Sequence, residues 1–226
     1  MDTSTPSRSP SVSVGDYLKA IWELAEMGTV STKEVADRLA ISSASVTSMF
    51  VRLQEMGYVE YERYRGASLT ERGRGEALRL VRRHRLIETF LLQHLGYSWR
   101  EVHEEAERLE HAVSDSFTER LAELLGHPGY DPHGDPIPTA EGGVARDDSF
   151  PLSEAAAGQR VRISKVSDDT SMLDYLGERG LVPGRLLCVK EVRALDGVVF
   201  VEDEDEEAHA LGDALARSVF VKSEGG

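Results

Sequence analysis

SSASVTSMFVRLQEMGYVEYERYRGASLT, residues 42–70, passes from a helical pattern to a strand-rich one across a single glycine. Val46, Met49, Phe50 and Leu53 recur at helical spacing, and Gly57 ends the run. Tyr58 to Thr70 is then rich in strand formers on both sides of Gly66, which predicts a β-hairpin. Upstream, Ser31 and Thr32 offer an N-cap for a short helix through Val35, Ala36 and Leu39, with Glu34 in its first turn. Before that, Leu18, Ile21, Trp22, Leu24 and Ala25 predict a helix over Gly15–Met27. Three helices closed by a hairpin describe a winged helix-turn-helix over residues 13–75. Ser42, Ser43, Ala44, Ser45, Thr47 and Ser48 are small enough to let the third helix sit deep in a DNA major groove. Lys33, Arg52, Arg63 and Arg65 are candidates for phosphate contacts. A plainer reading also stands: the serines cap a helix in a small α/β domain.

Downstream, residues 71–95 and 98–125 predict two long helices, within a helical domain over 76–138. The second carries Val102, Ala106, Leu109, Val113, Phe117, Leu121 and Leu124 on one stripe, a seam for another helix or a second subunit. Pro128, Pro132, Gly134 and Pro136 end helical structure, and residues 139–149 read as a linker. From 150 to 226 short apolar runs between turns predict a small β domain, with strands near 160–166, 186–192, 198–201 and 219–221 and one helix near Met172–Arg179. The acidic run Glu202–Glu207 reads as a solvated loop. Residues 1–12 read as a disordered tail without an apolar signal core, and no stretch is apolar enough to span a bilayer. The single cysteine, Cys188, excludes an intrachain disulfide or zinc–thiolate cluster and falls in a predicted core strand. A cytoplasmic location fits.

Net charge is −14, which argues against a non-specific nucleic-acid binder. The acid is unevenly placed: residues 1–75 have 9 Lys/Arg against 10 Asp/Glu, whereas 76–150 have 8 against 15 and 151–226 have 9 against 15. The first third is therefore close to neutral, and the excess lies where cations could be held.

Two segments concentrate imidazole and carboxylate. His84 and Glu88 lie one helical turn apart. Taking His103 as zero on a wheel of ~100° per residue, Glu107 falls near +40°, Glu110 near −20° and His111 near +80°, so all share roughly 100° of arc. Solvated helix faces explain many Glu residues, but not three histidines each in step with one. Such clusters mark a metal site. Carboxylate and imidazole without sulfur suit Mn(II) or Fe(II), although Zn(II), Co(II), Ni(II) and Cd(II) would also bind in vitro. The remaining histidines, His94, His127, His133 and His209, lack a helical Glu partner and read as surface or loop residues. No catalytic residue is predicted: position −3 from His84, His103 and His111 is Val81, Arg100 and Arg108, so the Glu-x-x-His pair of di-iron bundles is missing, as are zinc-protease, phosphate-loop and nucleophile-elbow signatures.

Asp16–Glu23-Leu24, His84-Arg85-Leu86 with Glu88, Val102–His111 and Pro132-His133-Gly134-Asp135-Pro136-Ile137-Pro138 together resemble the diphtheria-toxin-repressor (DtxR) family. Leu176–Gly184 and Ala210-Leu211-Gly212 look like an SH3-like FeoA-type domain. The resemblance implies a mainly α chain with small β parts: a winged helix-turn-helix, a helical metal-binding and dimerisation domain and a C-terminal SH3-like β-barrel. It also implies a homodimer on double-stranded operator DNA, with no membrane and no small-molecule substrate. It implies a primary site of Asp16, Glu107, Glu110 and His111 and an ancillary site of His84, Glu88 and His103. Asp169, with Asp168 and Met172 beside it, aligns with an extra ancillary ligand from the FeoA-type domain. Iron-responsive members carry Met and Cys where this chain has Asp16 and Glu107, as in the manganese-responsive branch resembling MntR. Lys19 stands where that branch often has a further carboxylate, which leaves the metal count open. The expectation is thus a Mn(II)-activated repressor of metal-uptake genes, with an Fe(II)-responsive repressor or a non-DNA-binding cytosolic metal buffer as alternatives.

Overall fold

The computed structural model describes residues 14–25, 28–167, 169–193 and 195–224. The predicted tail, Asp168 and the end of the first helix at Met27 lie outside them. The chain divides into two compact units, residues 1–81 and 82–226.

In the first unit, α1 (Val14–Leu24), α2 (Thr32–Arg38) and α3 (Ser43–Glu55) precede β1 (Val59–Glu62) and β2 (Gly66–Leu69). Local chemistry sets the helix starts. Ser31 closes a capping box with Glu34 on α2, and the Ser42 hydroxyl accepts from Ser45 N on α3. Leu18, Ile21, Val35, Val46, Phe50, Leu53 and Val59 form one buried core. The hairpin is antiparallel, pairing Glu62 with Gly66, and Val30 adds a bridge to Ala67. Gly66 is obligatory: its φ is +104° and a Cβ there would lie 2.1 Å from the Val30 carbonyl oxygen. This is the winged helix-turn-helix that the sequence predicts.

α4 (Glu71–Leu95) begins in the first unit and continues in the second. The second predicted long helix is instead two, α5 (Trp99–Glu110) and α6 (Asp115–Leu124). Ser114 takes an extended conformation and its hydroxyl accepts from Phe117 N, so a fresh N-cap interrupts the run without any Gly or Pro. The break splits the expected single seam. Val102, Ala106 and Leu121 pack with Leu86, Ile87, Leu91 and Ile137, while Phe117 and Leu124 stay exposed.

The C-terminal part of this unit carries six strands: β3 (Phe150–Pro151), β4 (Arg160–Val166), β5 (Leu186–Val192), β6 (Val199–Asp203), β7 (Ala208–Leu211) and β8 (Val219–Ser223). They pair antiparallel in the order β3-β8-β4-β5-β6-β7, an SH3-like arrangement whose hydrogen bonds leave β3 and β7 as edges rather than closing a ring. α7 (Thr170–Glu178) and α8 (Asp213–Ser218) accompany them. Alternation puts Val161, Ile163, Leu187, Val189, Val199, Val201, Val219 and Val221 in one core, against which Trp99 of α5 packs. Cys188 is half-buried on the other face of β5 from Leu187 and Val189, so it is not the core residue expected. The acidic run is not simply solvated either. The buried Asp203 accepts from Asp205 N at 2.9 Å and Glu207 N at 3.0 Å, and meets Arg185 Nη2 at 2.9 Å. Among the described residues no helix is long and apolar enough to cross a membrane.

The 139–149 segment is tied to the β domain through Asp147, whose carboxylate meets Lys165 Nζ at 2.9 Å and accepts from Ser149 N. Burial opposes its ionisation, but these hydrogen bonds outweigh that and hold it at about 2. A depressed carboxyl pKa stabilises the fold above its ordinary value of 3.8 and loses that contribution as pH falls toward 2. Asp147→Asn should therefore be less stable than wild type at pH 6, by no more than about 1 kcal/mol because solvent screens a partly exposed pair, with the gap closing as pH falls below about 4, measured by urea unfolding across pH.

Candidate metal centre and nucleic-acid interface

α4 places His84 and Glu88 on successive turns, and α5 brings His103 across to them. His84 Nε2 lies 2.9 Å from Glu88 Oε1 and 3.3 Å from His103 Nδ1, and His103 Nδ1 is 3.2 Å from the same Glu88 oxygen. All three offer ligand atoms within 4.8 Å of one another. His84 and Glu88 are buried and His103 is partly exposed, which leaves one side of the group accessible. Burial raises the Glu88 carboxyl pKa, yet His84, His103 and His133 together hold it well below the usual range.

The other nitrogen of His84, Nδ1, lies 2.5 Å from Glu110 Oε2, and Glu107 Oε1 is 4.0 Å away. Glu110 is fully buried, and its Oε1 is 3.5 Å from His111 Nε2. Glu107, Glu110 and His111 gather at the end of α5, His84 connects them to the Glu88 group, and His103 of the same predicted face lies with Glu88. Arg83 donates to the Glu110 carbonyl at 2.8 Å and pairs with Asp115, which fixes the end of α5 against α4. Asp16 occupies the first turn of α1 in the first unit. Asp169 is not among the His84 group. It is the exposed N-cap of α7, accepting from Ser171 N and Met172 N.

Three imidazoles, of His84, His103 and His111, with clustered carboxylates and no sulfur form a donor set that would fit a divalent cation of intermediate hardness, supplying it with charge neutralisation and nitrogen ligation.

Of the histidines read as surface or loop residues, two are buried, one of them in a loop and one in a strand. His133 is fully buried, and its ligand-capable atoms lie within 4.8 Å of those of Glu88 and Asp131. His209 is buried with Nε2 3.2 Å from Asp203 Oδ2. His94 and His127 are exposed as expected. Neither buried residue has a helical Glu partner, and only the density of ligand types in Asp131-Pro132-His133-Gly134-Asp135 could have signalled the first.

In the first unit, Ser42, Ser43, Ala44, Ser45, Thr47 and Ser48 are all exposed at the N-terminal part of α3, and Lys33, Arg52, Arg63 and Arg65 are exposed as well. Thr47 and Ser48 hydroxyls donate to the carbonyls of Ser43 and Ala44, leaving acceptor lone pairs outward. Tyr64, which no periodicity singles out, is the most exposed aromatic among the described residues. It stands at the hairpin tip with φ +72° and the Arg63 guanidinium 5.0 Å from its ring centre.

Residues 11–67 match the iron dependent repressor N-terminal DNA binding domain, residues 70–139 its metal binding and dimerisation domain, and residues 150–223 the FeoA domain. The chain is 34% identical over 188 residues to the iron-dependent repressor IdeR of Mycobacterium tuberculosis, covering 77% of this chain and 82% of the relative. The chain belongs to the DtxR/MntR family of metal-dependent transcriptional repressors. The transcriptional regulator MntR of Lysinibacillus sphaericus is 35% identical over 117 residues, 51% of this chain and 84% of that protein. Among solved structures, a manganese-dependent transcriptional repressor in complex with manganese superposes with a TM-score of 0.87 at 40% identity, covering 94% of this chain and all of that one. The repressor ScaR with bound Zn2+ superposes at 0.80 with 33% identity, covering 94% and 100%. Family membership makes the donor cluster on α4 and α5 the part of the chain to test for metal. His84→Ala should lower the Mn(II) bound at saturation by about one ion per chain, counted by elemental analysis after gel filtration.

Proposed function

We propose that this chain is a Mn(II)-activated repressor that binds operator DNA as a homodimer. The observation that carries the reading is the sulfur-free group of His84, Glu88 and His103, with Glu107, Glu110 and His111 beside it. Asp16 completes the second set, as the resemblance implies, and Asp169 remains a candidate ligand of the first by the same argument. Oxygen donors at Asp16 and Glu107, where iron-responsive members carry sulfur, favour Mn(II), which bonds weakly to soft ligands. The iron reading is supported by the likeness to IdeR and by the iron dependent repressor models that residues 11–67 and 70–139 match.

The chain's own residues divide the work. Clustered carboxylates repel one another until a cation neutralises them, so the ligand face favours the loaded state. Asp16 belongs to the DNA-binding helices and its partner ligands to α5, so a shared cation couples metal supply to DNA recognition. The α3 hydroxyl face reads bases and the exposed arginines hold phosphates. A dimer presents two such helices at a spacing near 34–36 Å or a multiple of it. Exposed Phe117 and Leu124 supply apolar surface for a second copy.

The test is operator binding by metal-stripped protein, followed by fluorescence anisotropy on its own promoter region with Mn(II), Fe(II) under anaerobic conditions, or Zn(II). Mn(II) should tighten binding at least about 100-fold, as a coupling near 3 kcal/mol requires. Asp16→Ala should abolish that gain while retaining metal at His84, and Glu107→Cys should shift preference toward iron. Unchanged DNA affinity with every metal would leave a metal buffer as the better account.

A further inference from the structure

The loop Asp131–Ile137 is held from two sides. From α4, Arg85 Nη1 donates to the Pro136 carbonyl at 2.7 Å and Arg85 Nε lies 3.3 Å from Asp131 Oδ2. From β4, Val166 N donates to the His133 carbonyl at 2.9 Å. Gly134, at φ +92°, lies so close that a Cβ would stand 2.0 Å from the Ser164 carbonyl oxygen. Lys165 adds a 3.7 Å approach to Asp135. Within the loop, the Asp131 carboxylate accepts from the backbone N–H of both His133 and Asp135 at 2.9 Å, so the turn is rigid.

This clamp drives the His133 side chain into the interior. It is fully buried, edge-on to Trp99 at 5.4 Å, and one of its ring nitrogens lies within 4.8 Å of a carboxylate oxygen of Glu88 and of Asp131. Asp131 is an unsuitable cation ligand, because Arg85 and two backbone amides already occupy its oxygens. Glu88 is different: it is the carboxylate shared with His84 and His103. We propose that His133 is a positioning residue that orients the Glu88 carboxylate for the metal, and that the FeoA-type β domain, by gripping the loop through β4, thereby sets the affinity of the α4–α5 site. The inference rests on the metal reading above. It gives the β domain a part in metal binding that needs no ligand from it, since groups that orient ligands govern affinity as the ligands do.

The test compares wild type, His133→Phe, His133→Gln and His84→Ala as full chains, with Mn(II) affinity from competition against a fluorescent chelator and Co(II) absorption as a site signature. His133→Phe should weaken Mn(II) binding by about 10-fold or more and change the Co(II) spectrum. His133→Gln, which keeps a donor, should recover part of both. Metal-free unfolding temperatures of the two His133 variants should agree, which separates positioning from packing. Wild-type affinity and spectrum in His133→Phe would overturn the proposal, as would equal losses in both variants that track metal-free stability. If His84→Ala itself binds Mn(II) like wild type, the metal assignment of this site fails, and that result is distinct from failure of His133 alone.

Discussion

A carboxylate with almost no solvent contact, Glu88, sets the terms for the larger unit of this protein. A buried charge is costly unless neighbours compensate it. Glu88 is compensated by imidazoles from α4, α5 and the 131–137 loop, so three segments far apart in sequence must come together. His84 extends the requirement, since its second nitrogen meets the fully buried Glu110 at the end of α5. Burying two carboxylates around one imidazole makes poor sense as a way to stabilise a helical pair, because apolar residues of similar volume serve packing as well or better. It makes sense where a cation is to be received.

The same constraint connects the helical pair to the β domain. Arg85, one residue after His84, fastens the loop that β4 holds from the other side. The side chain of that loop enters the Glu88 group. The donor cluster, the loop geometry and the docking of β4 thus rest on one short stretch of α4. In the DNA-binding unit the balance is different: the core is apolar and the chemistry lies outside it, on exposed hydroxyls at α3 and arginines on the wing. The excess acid of a chain of charge −14 lies outside this unit, whose residues up to 75 carry 9 Lys/Arg against 10 Asp/Glu.

Much of this was legible in the residues. The cap at Ser31, the serines from Ser42 and the apolar spacing of α1 to α3 announce the helices of the first unit, and His84/Glu88 with the His103–His111 face announce the donors through helical periodicity alone. What the sequence hid has physical reasons. The break before Ser114 carries no Gly or Pro, and its only mark is a serine whose hydroxyl caps a new helix while an unbroken apolar stripe argues for continuity. His133 sits in a Pro/Gly-rich turn of the kind that normally lies on the surface, and its burial depends on contacts with β4 more than 30 residues away. Asp203 looked like one more acid in a solvated run, yet it anchors a turn through backbone amides that periodicity does not report.

The most direct test of the central claim, that the carboxylate–imidazole faces of α4 and α5 hold cations, is anomalous diffraction at the manganese edge from crystals of the full chain loaded with Mn(II). An anomalous peak should appear within ligand distance, about 2.0–2.4 Å, of His84, Glu88 and His103, and a second beside Glu107, Glu110 and His111. Full manganese loading with no peak at either group would contradict that claim.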